Sequence, residues 1–550
     1  MKKKRLAAAL MAAVMTMLCA CSGAATDTSE EAASTETSGA SAETMEDGGE
    51  IDIWAPYDET VTLHTVTTEI ASAGYPEGDD ITNNIWTREY MSRFNVEVVT
   101  DWVSDEYDTK LNLSIAEGDI PDVFHVNESQ LQQLIDADLI MDLTDVYETY
   151  ASDRIKGCIE ADVDCLEAGK RDGKLYGIPT MYYSPLEQPD YVWIRKDWRE
   201  ALNLEEPKTM DDLVTIMKAF MENYGGYGIA AEQSLDYLSM LAPAWGAHPE
   251  AWIKTADGQI EYGAIQPEMK AAIEEWAKWY QEGLLSTDFA MMDYEKMNQD
   301  VIAGKVGVQP YSHWWGWTPG KDVVSAIGPE AYFEPFQIPS ATGEEVLQTL
   351  TFGNTTYTVV SKECENPSAV FKLINLYGYI VNDAVGKETQ EWIDSFTMKD
   401  MVHVVGAFKV CNPNAGDDDY VQTVEALKKH DTSDTTSSTA IQRYNDNIDW
   451  EENHSPRALG SVLQMGLGRC SFALAKEDVD NGKYIKSELK GTTPETITNS
   501  GSTLDDILTE GFTKIIIGDQ PIDYFDTVVE NWKAAGGEQA TNEMNEIYNQ

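Results

Sequence analysis

Strand-like and helix-like segments alternate through the first part of the chain, and this order constrains the fold more than any other feature. Residues 61–66 and 96–103 place β-branched and apolar side chains in strand-like order, and the apolar run 123–126 follows them. Helical patterns over residues 84–94 and 107–116 separate these strands. Strand–helix–strand alternation predicts an α/β fold with a largely parallel sheet that helices cover.

A second alternating unit begins near residue 186. Residues 191–195 are predicted as a strand and residues 196–204 as a helix. Thr209 and Asp212 have the spacing of an N-terminal cap for a further helix. Later in the chain we expect a strand within 351–360, a strand end or turn at 515–518, and two helices in the tail that ends near Tyr548.

The composition excludes some partners. The 550 residues carry a net charge of −56, and clustered Lys and Arg, which phosphate binding requires, are lacking. We therefore expect no nucleic acid and no flat docking on anionic lipid. Because the acids are spread along the whole chain, a solvated surface explains them better than a cationic ligand, although that alternative stays open.

The N-terminus has the pattern of an export signal. Four basic residues, Lys2 to Arg5, precede an apolar run from Leu6 to Leu18 that is too short for an ordinary membrane span. Residues 22–50 contain no Lys or Arg and are poor in apolar side chains, which predicts a disordered acidic tether. No second apolar segment approaches the length of a membrane-spanning helix.

The cysteines after residue 21 are few and scattered. They indicate neither a disulfide framework nor a zinc site, and most are expected to be buried apolar side chains. Cys158 and Cys165 are spaced for either a disulfide or two turns of a helix, so their pairing stays open.

Two groups of side chains are candidates for binding a ligand. Glu69, His125 and Asn127 follow or end predicted strands, and ligands of such sheets bind beyond the carboxyl ends of the strands. Aromatic rings in Gly- and Pro-bounded segments form the second group: Trp245, Trp314, Trp315 and Trp317. Such rings offer flat apolar faces to a ligand, while carboxylates and amides bind polar groups; packing in the core is the alternative for each ring.

Several motifs occur in an order that resembles a known family. Leu18-Cys19-Ala20-Cys21 resembles the bacterial lipobox, in which the last Cys is lipid-modified and becomes the new N-terminus. The further motifs are Gly118-Asp-Ile-Pro-Asp122, Asp172-Gly-Lys-Leu-Tyr-Gly-Ile-Pro179, Ala303-Gly-Lys-Val-Gly307, Ile516-Ile-Gly-Asp-Gln-Pro521 and Trp532-Lys-Ala-Ala-Gly-Gly537. Together they resemble the bacterial extracellular solute-binding proteins of family 1, in the large lipoprotein subgroup related to maltose-binding protein, over about residues 60–550.

The resemblance implies a type II periplasmic-binding-protein-like fold: two α/β lobes joined by a hinge, with a ligand cleft between them. The first crossover is expected near residues 181–185, which adds Tyr182 and Tyr183 to the cleft candidates; the others are expected near 336–339 and 450–460. The implied division is a signal peptide at 1–20, the lipidated Cys21 and tether at 21–58, lobe 1 at 59–184 and 340–455, and lobe 2 at 185–339 and 456–550.

The resemblance also implies a role. We expect a monomeric solute-binding lipoprotein, held by Cys21 on the outer face of the bacterial cell membrane, that delivers a sugar or oligosaccharide to an ABC importer permease. No catalytic residue, cofactor or metal ligand is expected. Some relatives hold structural calcium, and Asp478-Val-Asp-Asn-Gly482 resembles the start of an EF-hand loop, with its Gly one place early.

Three alternatives stay open. A peptide- or cation-binding protein of the same fold would use acidic cleft walls. A secreted carbohydrate-active enzyme would pair two carboxylates across a cleft, and 95 Asp and Glu make chance pairs unavoidable. A surface adhesin would have the same fold but no importer.

Overall fold

The computed structural model describes residues 51–70, 75–180, 184–353, 356–382 and 405–548. The predicted lipidation site Cys21 and the tyrosines Tyr182 and Tyr183 lie outside the described residues. The strands are Val61–Thr67, Val96–Val103, Val123–Val126, Lys170–Arg171, Lys174–Leu175, Ile178–Pro179, Tyr191–Arg195, Trp252–Lys254, Ile260–Tyr262, Val308–Tyr311, Phe333–Phe336, Gln348–Leu350, Tyr357–Val360 and Tyr484–Lys486. The α-helices are Ile85–Phe94, Tyr107–Glu117, Glu128–Asp136, Thr144–Tyr150, Asp153–Glu160, Val163–Ala168, Lys196–Ala201, Met210–Tyr224, Asp236–Ser239, Pro267–Gln281, Tyr294–Ile302, Lys321–Ile327, Pro367–Tyr377, Ala415–Lys429, Ser438–Asn453, Leu459–Met465, Ser471–Asp480, Glu495–Ile516, Tyr524–Trp532 and Glu538–Tyr548.

The alternation predicted for the first part of the chain is confirmed. Strands Val61–Thr67 and Val96–Val103 pair in parallel, and helix Ile85–Phe94 connects them. The helix starts after Asn84, whose side chain accepts a hydrogen bond from the backbone of Trp86. A polar side chain at this position satisfies a backbone N–H group that has no partner within the helix.

The central strand of the first lobe's sheet comes from later in the chain. Tyr357–Val360 lies between Val123–Val126 and Ile178–Pro179 and is antiparallel to both. The prediction of a largely parallel sheet is wrong for these strands, because the central one arrives from a distant part of the sequence. The outer two strands run in the same direction, so their carboxyl ends meet at one edge.

The second sheet carries the predicted strand Tyr191–Arg195 at its centre. It is antiparallel to Val308–Tyr311 on one side and to Phe333–Phe336 on the other. The capping box predicted at Thr209 is confirmed: its hydroxyl and the Asp212 carboxylate exchange hydrogen bonds with each other's backbone N–H groups. The helix that it caps buries its apolar side chains under this sheet.

Four apolar clusters form the core. Two combine residues before 180 with the strand and helix of 357–377, and the other two combine residues after 185 with the C-terminal helices. Side chains of helices Ala415–Lys429 and Ser438–Asn453 pack against the cluster that contains Trp193 and Trp315. The predicted boundaries put these helices in lobe 1, whereas their packing joins them to residues of lobe 2. The lobe boundaries stay predictions.

Two further local predictions are correct only in part. The expected strand end or turn at 515–518 contains no strand: residues 515–516 end the 22-residue helix Glu495–Ile516, which packs on helix Pro267–Gln281, and a turn follows at 517–518. The two helices predicted after it are confirmed. Within the expected range 351–360, Tyr357–Val360 forms a strand, residues 351–353 do not, and residues 354–355 lie outside the described residues.

Two further observations bear on the sequence predictions. Cys158 and Cys165 are both buried and form no disulfide. Among the described residues, no helix is both long enough and apolar enough to cross a bilayer.

Candidate functional site

A groove lies where edges of the two main sheets meet, and its first wall comes from the first lobe. Asn127 directly follows strand Val123–Val126, and strand Ile178–Pro179 ends at the same edge of the sheet. Between them, strand Tyr357–Val360 begins. Asn127, Glu128, Ser129 and Tyr357 line the groove from this edge.

The second wall comes from the other sheet. Since Tyr191–Arg195 is antiparallel to Val308–Tyr311, the residues just before the first strand lie beside those just after the second. Gln188 and Asp190 therefore lie at this edge and line the groove.

Three adjacent cavities make up the groove, and Glu250 lines all of them. One of about 380 Å³ is lined by Asn127, Glu128, Ser129, Glu250, Thr351, Phe352, Tyr357, Ser487, Leu489, Gly491, Thr493 and Thr498. A narrow one of about 170 Å³ is lined by Gln188, Asp190, Ser239, Met240, Pro243, Pro249, Glu250, Thr349 and Thr351. The largest, of about 1030 Å³, includes Gln233, Asp236, Tyr262, Asp505 and Phe512 in its lining.

The segment around Thr351 connects the walls. Its backbone N–H donates to the side-chain oxygen of Gln188 at 2.7 Å. The Gln348 amide exchanges hydrogen bonds with the backbone of Asp190, each at 3.4 Å. These contacts fix the backbone that carries Asp190 and leave its carboxyl group at the groove.

Carboxyl groups of the groove lie close enough to disfavour one another's ionisation. Burial, together with the charge of Glu250, raises the pKa of Asp190 well above its usual value. The crowding of protein around Glu250 and the nearby Asp236 raise the pKa of Glu250. The pKa of Asp505 is raised by burial and by the charges of Asp506 and Asp236. The groove therefore brings together acidic side chains, each of which makes it harder for its neighbours to ionise.

Among the predicted strand-end residues, only Asn127 lines the groove described above. Its side chain also caps helix Glu128–Asp136 by accepting from the Gln130 backbone at 2.9 Å. His125 is held inside the lobe, with ring nitrogens 2.5 Å from the Ala407 carbonyl oxygen and 3.2 Å from the Thr358 hydroxyl. Burial lowers the pKa of His125 to about 4, so its ring is neutral. Glu69 is exposed and outside the three cavities.

The predicted tryptophans divide into one exposed ring and three packed ones. Trp314 is exposed and stacks on His313, with ring centroids 5.6 Å apart. Trp317 is half-buried beneath the Arg443 guanidinium and against Gly460, where a Cβ atom would lie 2.2 Å from its ring. Trp245 is half-buried beside Trp276 and Trp279, at centroid distances of 6.2 and 6.1 Å.

The prediction that Trp315 contacts the ligand is wrong in this structure. Its ring has no exposed surface and stacks on Trp193, with centroids 5.8 Å apart and planes 19° apart. Phe333 and Tyr311 cover it from other sides, with centroids 4.6 and 5.3 Å away. A ring that is fully buried has no face to offer to a solute, and packing explains its place in the sequence.

The sequence analysis missed the acidic residues of the groove. Asp190, Asp236, Glu250 and Asp505 come from four separate segments, and no spacing in the sequence connects them. The expectation that ligands bind beyond the carboxyl ends of strands selects only residues that follow a strand. Asp190 instead precedes strand Tyr191–Arg195.

The EF-hand-like segment does not form a calcium loop. Asp478 and Asp480 belong to helix Ser471–Asp480; Asp478 accepts from the Gln337 amide at 2.7 Å, and Asp480 pairs with Lys476 at 3.3 Å. In the described parts of the chain, no group of three or more His, Cys, Asp or Glu side chains is arranged to hold a metal ion. These residues do not fit a calcium site.

Asp478 instead gives a prediction about stability and pH. Only 4% of the residue is exposed, and burial raises its pKa to about 6, so the folded protein binds a proton that the unfolded chain loses near pH 4. Protonation of Asp478 therefore adds to the free energy of unfolding at pH 4, and this contribution is lost as the pH rises through 6. In Asp478→Asn, which keeps an acceptor oxygen for Gln337, the unfolding free energy relative to wild type should increase by about 2 kcal/mol between pH 4 and 7. Urea unfolding at both pH values tests this, and a constant difference would contradict it.

The comparisons with known proteins decide the family. The model of the family described as "Bacterial extracellular solute-binding protein" matches residues 75–378, more than half of the chain. The chain belongs to this family. Its resemblance to lipoprotein LipO of Bacillus subtilis extends over 479 residues at 24% identity and covers 82% of this chain and 86% of LipO. It is also 26% identical over 210 residues to the fructooligosaccharide ABC transporter substrate-binding protein FusA of Streptococcus pneumoniae, covering 34% of this chain and 39% of FusA.

Solved structures confirm the predicted fold of this family member. The alginate-binding protein AlgQ2 aligns with a TM-score of 0.61 over 90% of this chain and 99% of AlgQ2, at 15% identity. At this identity the likeness shows the fold alone. The type II, two-lobed α/β architecture is therefore established, as is membership of a family of extracellular binding proteins.

Proposed function

We propose that this protein binds an oligosaccharide in the groove around Glu250 and delivers it to an ABC importer in the membrane. Membership of the solute-binding family supports binding without catalysis, and the similarity to FusA, a fructooligosaccharide-binding protein by its name, supports the class of ligand. The protein acts outside the cytoplasm and is held at the membrane by lipid on Cys21.

The observation that carries this proposal is the place and lining of the groove. Its walls come from separate sheets, so a bound solute contacts both sides at once. Carboxylates and amides such as Asp190 and Gln188 match sugar hydroxyls, which both donate and accept hydrogen bonds. The rings of Phe352 and Tyr262 provide apolar surface for the C–H faces of sugar rings.

A groove with walls of this kind can couple binding to closure. A solute that touches both walls stabilises a closed arrangement only by as much as it binds that arrangement better than the open one. Hinge closure around ligands is a known motion of binding proteins with two lobes. The importer would then recognise the closed form.

The N-terminal sequence supports the lipid anchor. Leu18-Cys19-Ala20-Cys21 follows a basic start and a short apolar run, as in exported lipoproteins. Each buried CH₂ of an acyl chain contributes about 0.8 kcal/mol, and stable anchoring takes about two chains. The acidic segment 22–50 would lift the folded part off the bilayer.

A thermal-shift titration tests the proposed binding. The purified protein is heated with kestose, with N-acetylglucosamine tetramer, with glucosamine tetramer and with mixed tripeptides. A ligand present at a hundred times its Kd stabilises the native state by about 2.7 kcal/mol. We expect at least one oligosaccharide to raise the Tm and to be recovered intact by chromatography. If only peptides raise the Tm, or if the oligosaccharide is cleaved, the proposal is wrong.

A further inference from the structure

The groove around Glu250 is lined by carboxylates that have almost no countercharge. The two cavities nearest the first wall contain no Lys or Arg in their lining, and the largest contains only Lys514. That ammonium group lies 2.5 Å from Glu510, one turn away on the same helix. The Arg171 guanidinium, 3.0 Å from Glu128, neutralises the one carboxylate of the first wall.

The remaining carboxylates follow one another along the groove. Glu250 lines the narrow cavity together with Asp190 and the largest cavity together with Asp236. Asp505 lines the largest cavity as well. None of these four residues forms an ion pair with a Lys or Arg of the described chain. A groove lined by carboxyl groups without cationic partners favours a ligand that brings positive charge.

A buried acid next to this row has an oxygen without a partner. Glu232 is 3% exposed; one carboxyl oxygen accepts from the Ser234 hydroxyl at 2.9 Å, and the other has no hydrogen bond among the described residues. The same Ser234 hydroxyl lies 2.8 Å from Asp236, and both Ser234 and Asp236 line the largest cavity. A hydrogen-bond network through Ser234 therefore connects the buried Glu232 to Asp236 at the groove surface.

We propose that the groove selects oligosaccharides whose sugars carry protonated amino groups and rejects oligosaccharides of uronic acids. This inference rests on the proposed function and specifies its substrate class. An ammonium group placed between Glu250 and Asp236 would relieve the repulsion between them. A carboxylate at the same place would increase it, and the lining offers no unpaired cation to compensate.

The lining favours an amino sugar over the other cationic ligands. A bound metal ion would need several of these side chains to converge, and the described residues form no such group. A peptide bound as an added strand would use an open sheet edge with its row of backbone groups. Here the lining combines Ser and Thr hydroxyls with the rings of Tyr262 and Phe512, which suits sugar rings and their hydroxyls.

Two probes that differ mainly in charge test the inference. Glucosamine tetramer and N-acetylglucosamine tetramer have the same sugar rings, but only the first carries ammonium groups. Calorimetric titration of the wild-type protein should show glucosamine tetramer binding about tenfold or more tighter at low salt. The advantage should shrink in 1 M salt, where the Debye length is about 3 Å. Galacturonic acid tetramer should not bind.

Variants that each remove one negative charge show where the preference for glucosamine tetramer arises. Glu250→Gln and Asp236→Asn should each reduce the preference for glucosamine tetramer several-fold, and the double variant should reduce it further. Glu222→Gln, at an exposed position on helix Met210–Tyr224, removes the same charge outside the groove and should leave the preference unchanged. Circular dichroism confirms that each variant is folded.

The outcomes separate this inference from the proposed function. If a neutral oligosaccharide binds as tightly as glucosamine tetramer, or galacturonic acid tetramer binds, the inference is wrong and the proposed function stands. If none of the saccharides binds, the proposed function is wrong as well. Binding of trilysine more tightly than glucosamine tetramer would contradict the preference for a sugar.

Discussion

Replacing Trp315 by alanine is expected to lower the free energy of unfolding by about 3–5 kcal/mol, the usual cost of removing a large buried aromatic side chain. The ring has no exposed surface and fills the space between Trp193 and Phe333. Its removal leaves a cavity that these rigid rings cannot close. Urea unfolding followed by circular dichroism measures the loss.

Trp314 provides the matched control, since it is the preceding residue in the sequence and is 55% exposed. Trp314→Ala should change the unfolding free energy by less than about 0.5 kcal/mol, as is usual for surface substitutions. Equal effects of the two substitutions would show that the packing described for Trp315 is wrong. So would a Trp315→Ala protein of normal stability that has lost only ligand binding.

Asp197→Ala is expected to cost about 3 kcal/mol, because it leaves a buried guanidinium without its partner. Arg195 is 2% exposed and makes two hydrogen bonds to the Asp197 carboxylate, at 2.8 and 2.6 Å. The guanidinium also stacks on the ring of Trp198, 4.4 Å from its centroid. Denaturant unfolding at pH 7 provides the measurement.

Two further variants make this prediction sharper. Glu200→Ala, at an exposed position on the same helix, should have little effect. The double variant Arg195→Met, Asp197→Leu removes both charges and should regain much of the lost stability. If Asp197→Ala is as stable as Glu200→Ala, the ion pair does not contribute as described.

Local structure could be predicted where a few neighbouring residues determine it. The capping box at Thr209 depends on side chains within three positions of the backbone groups that they satisfy. The strand Tyr191–Arg195 could be predicted because all five residues are buried, which favours β-branched and aromatic side chains. The ordered motifs were sufficient to predict the family and its two-lobed fold, both of which are confirmed.

The groove could not be predicted, because tertiary packing alone brings its residues together. Asp190, Glu250 and Asp505 are far apart in the sequence, and each is one acid among 95. The choice between a ligand-binding ring and a core ring also depends on packing. Trp314 and Trp315 are neighbours in the sequence, yet one is exposed and the other is fully buried.

The central claim, that the solute binds in the groove around Glu250, is tested most directly by filling that groove. Glu250→Trp places a bulky ring at the position that lines all three cavities, and Glu222→Trp places the same ring on an exposed helix. Calorimetric titration with whichever of kestose, glucosamine tetramer or N-acetylglucosamine tetramer binds the wild-type protein should show at least about a tenfold loss of affinity in Glu250→Trp. Glu222→Trp should bind like the wild type. Unchanged affinity in a folded Glu250→Trp protein would show that the solute binds elsewhere.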